Sequence, residues 1–400
     1  MISVDQHRAR ILAAAQPLPP EHLALADALG RVLAEDVTSR WPVPLFDNSA
    51  MDGYAVRRTD AVAGATLRVV ADVAAGSAED PPISLGECVR IMTGAPVPAD
   101  ADAIVPLEQT DLGTEILPDP PARITVLAQP REGAHIRRRG DDAPAGSLTV
   151  SAGTTLGAWQ LSAIASAGHD RVRVTRAPRV AVISTGSELI PPSATPRRGQ
   201  IPESNSVLLG AAVRASGAVL VGTATVSDDP QELRDALAGF DVDVMILSGG
   251  ASVGAFDVVR AVVGEELGAR FDRVAVQPGK PQGFGVLESG MLAFCLPGNP
   301  VSVAASFEMF VRPALRKMAG FADIDRKRVV RRAASAWNSP PDRAQILPVV
   351  FDDETVRPAT AGGSGSHLVS SLAVATAFAI VPAETQRVQE GDPVTVMVLS

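Results

Sequence analysis

A continuous apolar run that ends in a glycine-rich polar turn is the feature that most constrains this chain. Residues 244–247 predict a strand buried on both faces, and Gly249 and Gly250 follow it. Successive glycines can adopt positive φ and expose backbone N–H groups to an anion. Because Ser252 adds a hydroxyl and Asp257 a carboxylate, the run indicates either a phosphate site with a metal ion beside it or only a tight turn.

Two further predicted strands in the same region end in similar turns. Predicted strands and helices alternate from 177 to 320, as they do in a doubly wound α/β domain. The residues that follow the two strands are Ser184, Thr185, Gly186, Pro297, Gly298 and Asn299. Ligands bind beyond the carboxyl ends of strands in open parallel sheets, and helix N-termini favour anions there. The three turns together therefore predict an anion site.

Three carboxylates follow the strands of this section, namely Glu188, Asp228 and Asp257. They would repel a phosphate unless a divalent cation lay between them, so the sequence predicts Mg²⁺. No Cys and His cluster has zinc spacing, and neither a Walker motif nor a G-x-G-x-x-G fingerprint is present. These absences argue against an ordinary ATPase or dehydrogenase.

Length, charge and cysteine content restrict the class of protein. The 400 residues predict about two to four domains. A net charge of −9 argues against broad nucleic-acid binding but permits a focused cationic pocket for a small anion. Cys88 and Cys295 lie in separate apolar runs, which favours free thiols and a reducing compartment. No apolar run has the length of a membrane span, so we expect a cytoplasmic protein without membrane insertion.

The elements outside the α/β section fall into three groups. Ser3 and Gln6 form a capping-box pattern that opens a helix to about residue 15, and further helices are predicted over 22–35 and 157–167. Residues 46–56 show neither a helical nor a strand period, whereas short runs over 67–139 predict a small β domain. Short strands over 328–334, 345–351, 377–381 and 394–399 predict a C-terminal β-barrel or sandwich.

Three polar loops in the amino-terminal half hold candidate ligand-binding residues. The loop over 46–56 is either a polar turn between domains or a loop that presents Asp47 and Asp52 to a ligand. Thr93 follows a predicted strand in what is otherwise an ordinary turn. Asp142 follows three consecutive arginines, so its segment is either a solvated charge run or a junction loop that faces an anion.

Candidate cations and hydroxyls lie nearer the carboxyl end. Lys280 is one of only three lysines and lies in a turn. Either a compact ammonium is required where a planar guanidinium does not fit, or its placement is chance. A Gly/Ser turn over 362–367 is either a linker or a domain edge where Ser366 and His367 donate to an oxyanion, with Arg343 as a companion.

Eight motifs, in the same order along the chain, resemble those of the MoeA family of molybdopterin molybdenumtransferases, which includes the C-terminal domain of gephyrin. They lie at residues 47–57, 90–96, 137–142, 184–189, 248–254, 278–281, 296–302 and 365–367. The resemblance implies an α/β and β multidomain fold in four parts. These are a helical connecting region (1–45 and 141–176), an inserted small β domain (46–140), a doubly wound MogA/MoaB-like α/β domain (177–325) and a C-terminal β-barrel (326–400).

The resemblance also implies the reaction, in which adenylylated molybdopterin and molybdate yield molybdenum cofactor and AMP with Mg²⁺ as the divalent cation. It implies an elongated homodimer, with molybdopterin adenylyltransferase and molybdoenzyme maturation proteins as candidate protein partners. Donors preorganised for oxyanions suit this reaction, and metal-bridged phosphate oxygens lower the cost of expelling AMP. No nucleophilic side chain is required.

The resemblance assigns roles by position. Catalysis would involve Asp52, Thr93 and Asp142, on loops that help to build the site, and Lys280. The metal and the nucleotide phosphates would be held by Glu188, Asp228 and Asp257. Phosphate and pterin would be bound by Ser184, Thr185, Gly186, Gly249, Gly250, Ser252, Pro297, Gly298 and Asn299. Molybdate would be bound by Lys280, Arg343 and Ser366.

The chain departs from the family pattern at three positions. Some members carry lysine where this chain has Arg273 and Gln277; because Gln277 is neutral, the positive charge of that strand is reduced, and Lys280 is expected to compensate. Glu203 stands where aspartate is common, a change of reach with the same charge. These departures bear on molybdate affinity rather than on the family.

Two other functions fit parts of the pattern. A non-catalytic scaffold of the gephyrin type would cluster membrane-protein tails or cell-division proteins, and loss of the acidic residues would mark it. Because those acidic residues are all present, the enzyme is favoured. A related adenylyltransferase would need only the α/β section, so the flanking domains argue against it.

Overall fold

The computed structural model describes residues 1–114, 118–249, 258–360 and 365–399. The predicted site residues Gly250, Ser252 and Asp257 therefore lie outside the described residues. All the structural statements that follow concern the described part of the chain.

The amino-terminal segment begins with the predicted helix, Val4–Ala14, whose capping box joins Ser3 and Gln6 through two reciprocal hydrogen bonds. The helix predicted over 22–35 is wrong. The strand Pro20–Ala24 lies there instead, paired antiparallel with Arg171–Thr175, and a 3₁₀ turn over Leu25–Asp27 follows it. Pairing with a strand about 150 positions away overrides the local helical pattern, because propensity is a weak constraint beside tertiary pairing.

The small β domain is a five-stranded sheet. In spatial order its strands are Ala103–Pro106, Gly53–Val56, Glu87–Ile91, Thr66–Val73 and Arg123–Thr125. The expectation that residues 46–56 lack a strand period is wrong for Gly53–Val56, an interior strand whose four residues are all buried. A Cβ at position 53 would lie 2.2 Å from the Val105 carbonyl oxygen, so only glycine allows the two backbones to approach this closely.

Short strand pairs and one helix join this sheet to the rest of the chain. Val37–Thr38 pairs with Leu148–Val150, and Asn48–Ser49 pairs with Ile136–Arg137, both antiparallel. A 3₁₀ turn covers Leu107–Gln109. The helix predicted over 157–167 is present as Ala158–Ser166.

A six-stranded mixed sheet forms the centre of the α/β domain. In spatial order its strands are Val219–Val226, Arg179–Thr185, Val244–Ser248, Leu292–Leu296, Pro281–Val286 and Arg270–Arg273. The first four strands are parallel and the last two are antiparallel to their neighbours. Leu189–Ile190 and Ile201–Pro202 form a separate short pair.

Helices cover both faces of this sheet, as the doubly wound pattern requires. One face carries Asn205–Ala215 and a continuous helical run made of Pro300–Ser306, the π-helical Phe307–Val311 and Arg312–Met318. The other face carries Pro230–Ala238 and the π-helical Arg260–Glu266. Alternate residues of one strand therefore enter different cores, with Ile246 on the first face and Leu247 on the second.

The C-terminal domain is a closed five-stranded barrel. Its strands are Arg328–Ala333, Thr355–Pro358, Ala344–Phe351, Ala377–Val381 and Pro393–Val398, and Pro393–Val398 pairs back with Arg328–Ala333. Trp337–Asn338 pairs with Arg387–Val388, and a helix covers Val369–Val374. Val276–Gln277, from the α/β domain, extends the barrel strand Ala344–Phe351 in parallel.

The observed sheets and helices confirm the predicted fold class: a doubly wound α/β domain, a small β domain and a C-terminal β-barrel. The exact domain boundaries stay a prediction. Within the described ranges, no helix is both as long and as apolar as one that crosses a bilayer would have to be.

Candidate functional site

A cleft of about 620 Å³ opens at the carboxyl ends of the parallel strands, where the α/β domain meets the barrel domain. The three predicted turns all contribute to its wall. The predicted site residues that line it are Thr185, Gly186, Glu188, Asp228, Gly249, Lys280, Pro297, Gly298, Asn299 and Ser366. Pockets of this size accommodate nucleotide-like small molecules.

The three turns lie against one another because their strands are in register. Ser184 pairs with Ser248, which pairs with Leu296 on the next strand. Gly249 has a φ of +98°, and a Cβ there would lie 2.4 Å from the Thr185 carbonyl oxygen. Position 249 therefore needs glycine both for its backbone conformation and for the close approach of the first turn.

A buried carboxylate anchors the floor of the cleft. Glu203 accepts hydrogen bonds from the Ser184 hydroxyl at 2.9 Å and from the Ser206 backbone N–H at 2.9 Å. The hydroxyls of Ser184 and Ser248 lie 3.3 Å apart. These donors offset the cost of burying the carboxylate. Ser184 is itself fully buried, so it supports the cleft from beneath and does not line it.

The acidic side of the cleft is formed by Glu188 and Asp228. The Asp228 carboxylate accepts a hydrogen bond from the Ser187 backbone N–H at 3.0 Å, and the Ser187 hydroxyl oxygen accepts one from the Asp228 backbone N–H at 3.1 Å. The Glu188 carboxylate lies over Gly186, where a Cβ would come within 2.6 Å of it. Within the described ranges Glu188 has no side-chain partner.

Mg²⁺ binds in proteins through one or two carboxylates, with water and phosphate oxygens as the other ligands. No set of three or more acidic, His or Cys side chains arranged for a metal occurs in the ranges that the structure describes. The third predicted ligand, Asp257, lies outside them. Glu188 and Asp228 are thus the two predicted metal ligands that the structure places in the cleft wall.

The cationic side of the cleft is the turn over residues 277–281, which we call the lysine turn. The Val274 N–H donates to the Lys280 carbonyl oxygen at 2.8 Å and closes the turn. Lys280 lines the cleft and has neither an ion pair nor a side-chain hydrogen bond with any described residue. Its positive charge is therefore available to an anion.

The barrel domain contributes Ser366 and Arg343 to this side. The Ser366 hydroxyl accepts a hydrogen bond from the Asn299 side chain at 3.0 Å, across the domain boundary. Arg343 is not part of the cleft wall, but its guanidinium donates to the Gln277 side-chain oxygen at 2.7 Å. Since Gln277 lines the cleft, it stands between Arg343 and a bound ligand.

Several polar residues of the cleft were not predicted, including Asn205, Ser248 and Ser302. Asn205 donates to the Gly298 carbonyl oxygen at 2.7 Å. The side-chain oxygens of Asn205 and Thr185 are buried and have no partner among the described residues. Such orphan atoms beside a cleft are available to a ligand. Ser248 and Ser302 lie in the motifs at residues 248–254 and 296–302, and Asn205 lies two residues after Glu203, so these were the signals in the sequence.

Three predicted catalytic residues do not line the cleft of their own chain: Asp52, Thr93 and Asp142. The Asp52 carboxylate accepts hydrogen bonds from the Thr93 backbone N–H at 2.6 Å and from its hydroxyl at 2.9 Å. The Asp142 N–H donates to the Val43 carbonyl oxygen at 3.0 Å. The structure thus brings Asp52 and Thr93 together, but away from Lys280.

The arginine-rich loop beside them is also ordered by an aspartate. The Arg138 guanidinium pairs with Asp47 at 2.6 Å, and the Arg139 N–H donates to the same carboxylate at 2.8 Å. The hydrogen bond from Arg139, supported by Arg138, lowers the pKa of Asp47. Asp47 therefore holds the loop that leads to Asp142.

Comparison with known proteins places the whole chain in one family. The family model for the MoeA N-terminal region (domain I and II) matches residues 2–168. A probable molybdopterin binding domain matches residues 181–317, and the MoeA C-terminal region (domain IV) matches residues 330–399.

Individual relatives and solved structures agree with these matches. Molybdopterin molybdenumtransferase 2 of Mycobacterium tuberculosis is 38% identical over 405 residues, which cover 98% of each chain. The molybdopterin molybdenumtransferase of Haemophilus influenzae is 31% identical over 417 residues, which cover 99% of this chain and 98% of the relative. The crystal structure of the molybdopterin biosynthesis MoeA protein from Pyrococcus horikosii is similar, with a TM-score of 0.84 and 30% identity over 100% of this chain and 99% of that chain. The chain therefore belongs to the MoeA family of molybdopterin molybdenumtransferases.

Proposed function

We propose that this protein is a molybdopterin molybdenumtransferase, which inserts molybdate into adenylylated molybdopterin and releases AMP. The observation that carries the proposal is one cleft in which three glycine-rich strand ends, two carboxylates and an ammonium with no partner among the described residues meet. The relatives with this name support it, since they cover nearly the full length of the chain.

Different groups in the cleft bind the two anions of the reaction, the pyrophosphate of the substrate and molybdate. The strand-end turns at Gly249 and Gly298 offer close backbone approach to the pyrophosphate of the substrate. The Lys280 ammonium, the Ser366 hydroxyl and Arg343, which reaches the cleft through Gln277, receive the doubly charged molybdate. Fixed donors of this kind stabilise developing charge without reorganisation and hold the two reactants side by side.

We further propose that Glu188 and Asp228 hold Mg²⁺ against the phosphate oxygens. The ion, when bound, offsets the negative charge that builds up on AMP as it leaves. The ion would also offset the charge of these two carboxylates, which line the same cleft as Lys280. The orphan oxygens of Thr185 and Asn205 are free to accept N–H groups of the pterin or the nucleotide.

A homodimer completes the proposal. The cleft of each chain is not lined by its own Asp52, Thr93 and Asp142, so their catalytic roles require that a second copy supplies them.

The contact between the two copies is assigned to one helix. The helix Ala158–Ser166 contains no charged residue, and Trp159 on it is 84% exposed. An uncharged helix with an exposed tryptophan is typical of a buried interface, and we assign this helix to the contact between the two copies.

The compartment and further partners follow from the same chemistry. Burial raises the pKa of Cys88 to about 12, so this free thiol is unreactive. Neither buried cysteine forms a disulfide, which suits the reducing cytoplasm that we propose as the location. The expected partners are molybdopterin adenylyltransferase, which makes the substrate, and proteins that load molybdoenzymes.

A purely scaffolding role is not favoured, because the cleft retains Glu188, Asp228 and Lys280.

The direct test mixes the purified protein with adenylylated molybdopterin, Mg²⁺ and molybdate. AMP is measured by chromatography, and the cofactor by reconstitution of a molybdenum enzyme that lacks it. We expect AMP release that requires molybdate and stops when the divalent ion is chelated. Absence of AMP release under all these conditions would contradict the proposed function.

A further inference from the structure

Gln282 is a buried polar side chain that the predicted site does not include. It lies on the strand Pro281–Val286, two positions after Lys280, and only 1% of it is exposed. Its side-chain nitrogen donates to the Gly279 carbonyl oxygen at 2.7 Å and to the Ser306 hydroxyl at 2.7 Å. The amide group thus donates both of its N–H hydrogens to fixed partners.

These two bonds join the lysine turn to a helix that begins in another wall of the cleft. Gly279 has a φ of +95°, and a Cβ there would lie 3.0 Å from the Ser306 hydroxyl oxygen and 3.2 Å from the Gln282 nitrogen. The turn therefore rests directly on the helix Pro300–Ser306. That helix follows Asn299, which contacts Ser366.

The upstream limb of the lysine turn is fixed separately by backbone bonds. The Ile2 N–H donates to the Arg273 carbonyl at 3.0 Å, and the Ala275 N–H donates to the Ile2 carbonyl at 2.9 Å. Val276–Gln277 then pairs with the barrel. The Val274 N–H also holds the Lys280 carbonyl oxygen from this side. Gly279 is instead joined to the helix by the side chain of Gln282.

We infer that Gln282 is a positioning residue, which sets the distance between the Lys280 ammonium and the Asn299 and Ser366 side of the cleft through Gly279 and Ser306. The inference rests on the proposed function for the identity of the anion, molybdate. An oxyanion is held well only when its donors stand at fixed separations, so a loosened turn weakens molybdate binding more than it slows turnover at saturation.

The test compares Gln282→Leu with the wild-type protein. We expect the dissociation constant for molybdate, measured by calorimetry without turnover, to rise about five- to tenfold. The KM for molybdate should rise in parallel, whereas kcat and the KM for adenylylated molybdopterin should stay within about twofold. Gln282→Glu should weaken molybdate binding as much, because a carboxylate cannot donate to the Gly279 carbonyl.

Two further variants separate positioning from a general loss of stability. Ser306→Ala should give a smaller rise, and the double variant with Gln282→Leu should bind no more weakly than Gln282→Leu alone, because both act through one network. Phe284→Leu is the matched control, since Phe284 lies two residues along the same strand and is 3% exposed. It should lose stability but retain molybdate affinity.

The outcomes distinguish this inference from the proposed function. Unchanged molybdate affinity in Gln282→Leu, or an equal loss in Phe284→Leu, would overturn the positioning role while the wild-type protein still releases AMP. If the wild-type protein binds molybdate but releases no AMP, that result would instead contradict the proposed reaction. In that case weaker molybdate binding by Gln282→Leu would still support the positioning role.

Discussion

The side-chain nitrogen of Asn299 donates a hydrogen bond to the Ser366 hydroxyl, 3.0 Å away. Asn299 occupies the N-cap position of the helix Pro300–Ser306, but its side chain makes no capping bond. The Val301 N–H also donates to the Ser366 carbonyl oxygen at 3.2 Å. The first turn of this helix is therefore bound to the barrel domain at Ser366, and the two domains share one wall of the cleft.

Ser366→Ala removes the hydroxyl from this contact and from the proposed molybdate site. Because molybdate is charged, loss of this donor should cost about 1.5–3 kcal/mol, so we expect the KM for molybdate to rise roughly 10- to 100-fold. AMP release at varied molybdate concentration measures it. Ser366→Thr keeps a hydroxyl and should behave like the wild-type protein. Equal KM values for the alanine variant and the wild type would contradict a role for this hydroxyl.

Lys280→Met keeps much of the side-chain length and removes the charge. Because a hydrogen bond to a charged group contributes about 1.5–3 kcal/mol, molybdate binding should weaken roughly 10- to 100-fold. Calorimetric titration with molybdate checks this directly. Lys327→Met is the matched control, since Lys327 does not line the cleft. A similar loss in both variants would indicate a general effect of net charge.

Gly249→Ala tests the close approach of the strand ends. The new Cβ would lie 2.4 Å from the Thr185 carbonyl oxygen, so the turn must shift and AMP release should fall by more than tenfold. Gly268→Ala provides the control, because Gly268 also has positive φ, +78°, but no atom lies within 4 Å of its added Cβ. That variant carries the backbone strain alone, about 1 kcal/mol, and should retain activity.

His7 makes the packing of the first helix sensitive to acid. Burial lowers the pKa of His7 from 6.5 to about 4. The charge of Asp272 opposes this shift, and the charge of Arg10 adds to it. The unfolded helix therefore binds the proton more tightly, so the stability that His7 contributes is complete above pH 6.5 and declines as the pH falls toward 4. Between pH 7.5 and 5.0 we expect a loss of about 2 kcal/mol.

Hydrogen exchange of the amides in Val4–Ala14 at the two pH values measures that loss without unfolding the other domains. His7→Gln has no group that titrates in this range, so its helix should lose less stability between the two pH values than the wild-type helix. The same decrease in both proteins would show that other groups cause the acid sensitivity.

Trp159→Asp places a charge on the helix that we assign to the homodimer contact. We expect the protein to sediment as a monomer at micromolar concentration and to lose most AMP release, because the second copy no longer supplies Asp52, Thr93 and Asp142. Leu85→Asp is the control, since Leu85 is 79% exposed on the small β domain. A dimer that persists in Trp159→Asp would contradict this assignment of the interface.

Local patterns predicted much of the fold. The helix Ala158–Ser166 lies within the range predicted for it, 157–167, and the strand Val244–Ser248 extends its prediction by one residue. Both segments carry a strong apolar pattern over their own length. The errors at Pro20–Ala24 and Gly53–Val56 have the opposite origin, because each is a strand whose partners lie far along the chain. No local window contains such a partner.

The turn chemistry of the site can be read from local sequence: the glycines at the strand ends, the carboxylates Glu188 and Asp228 and the ammonium of Lys280. The partners that these groups meet depend on tertiary packing. It directs Arg343 to Gln277, places Ser184 beneath the cleft against Glu203, and leaves Asp52 outside it. The physical reason is that backbone conformation depends on near neighbours, whereas side-chain contacts depend on how sheets and domains pack, which no short stretch of sequence encodes.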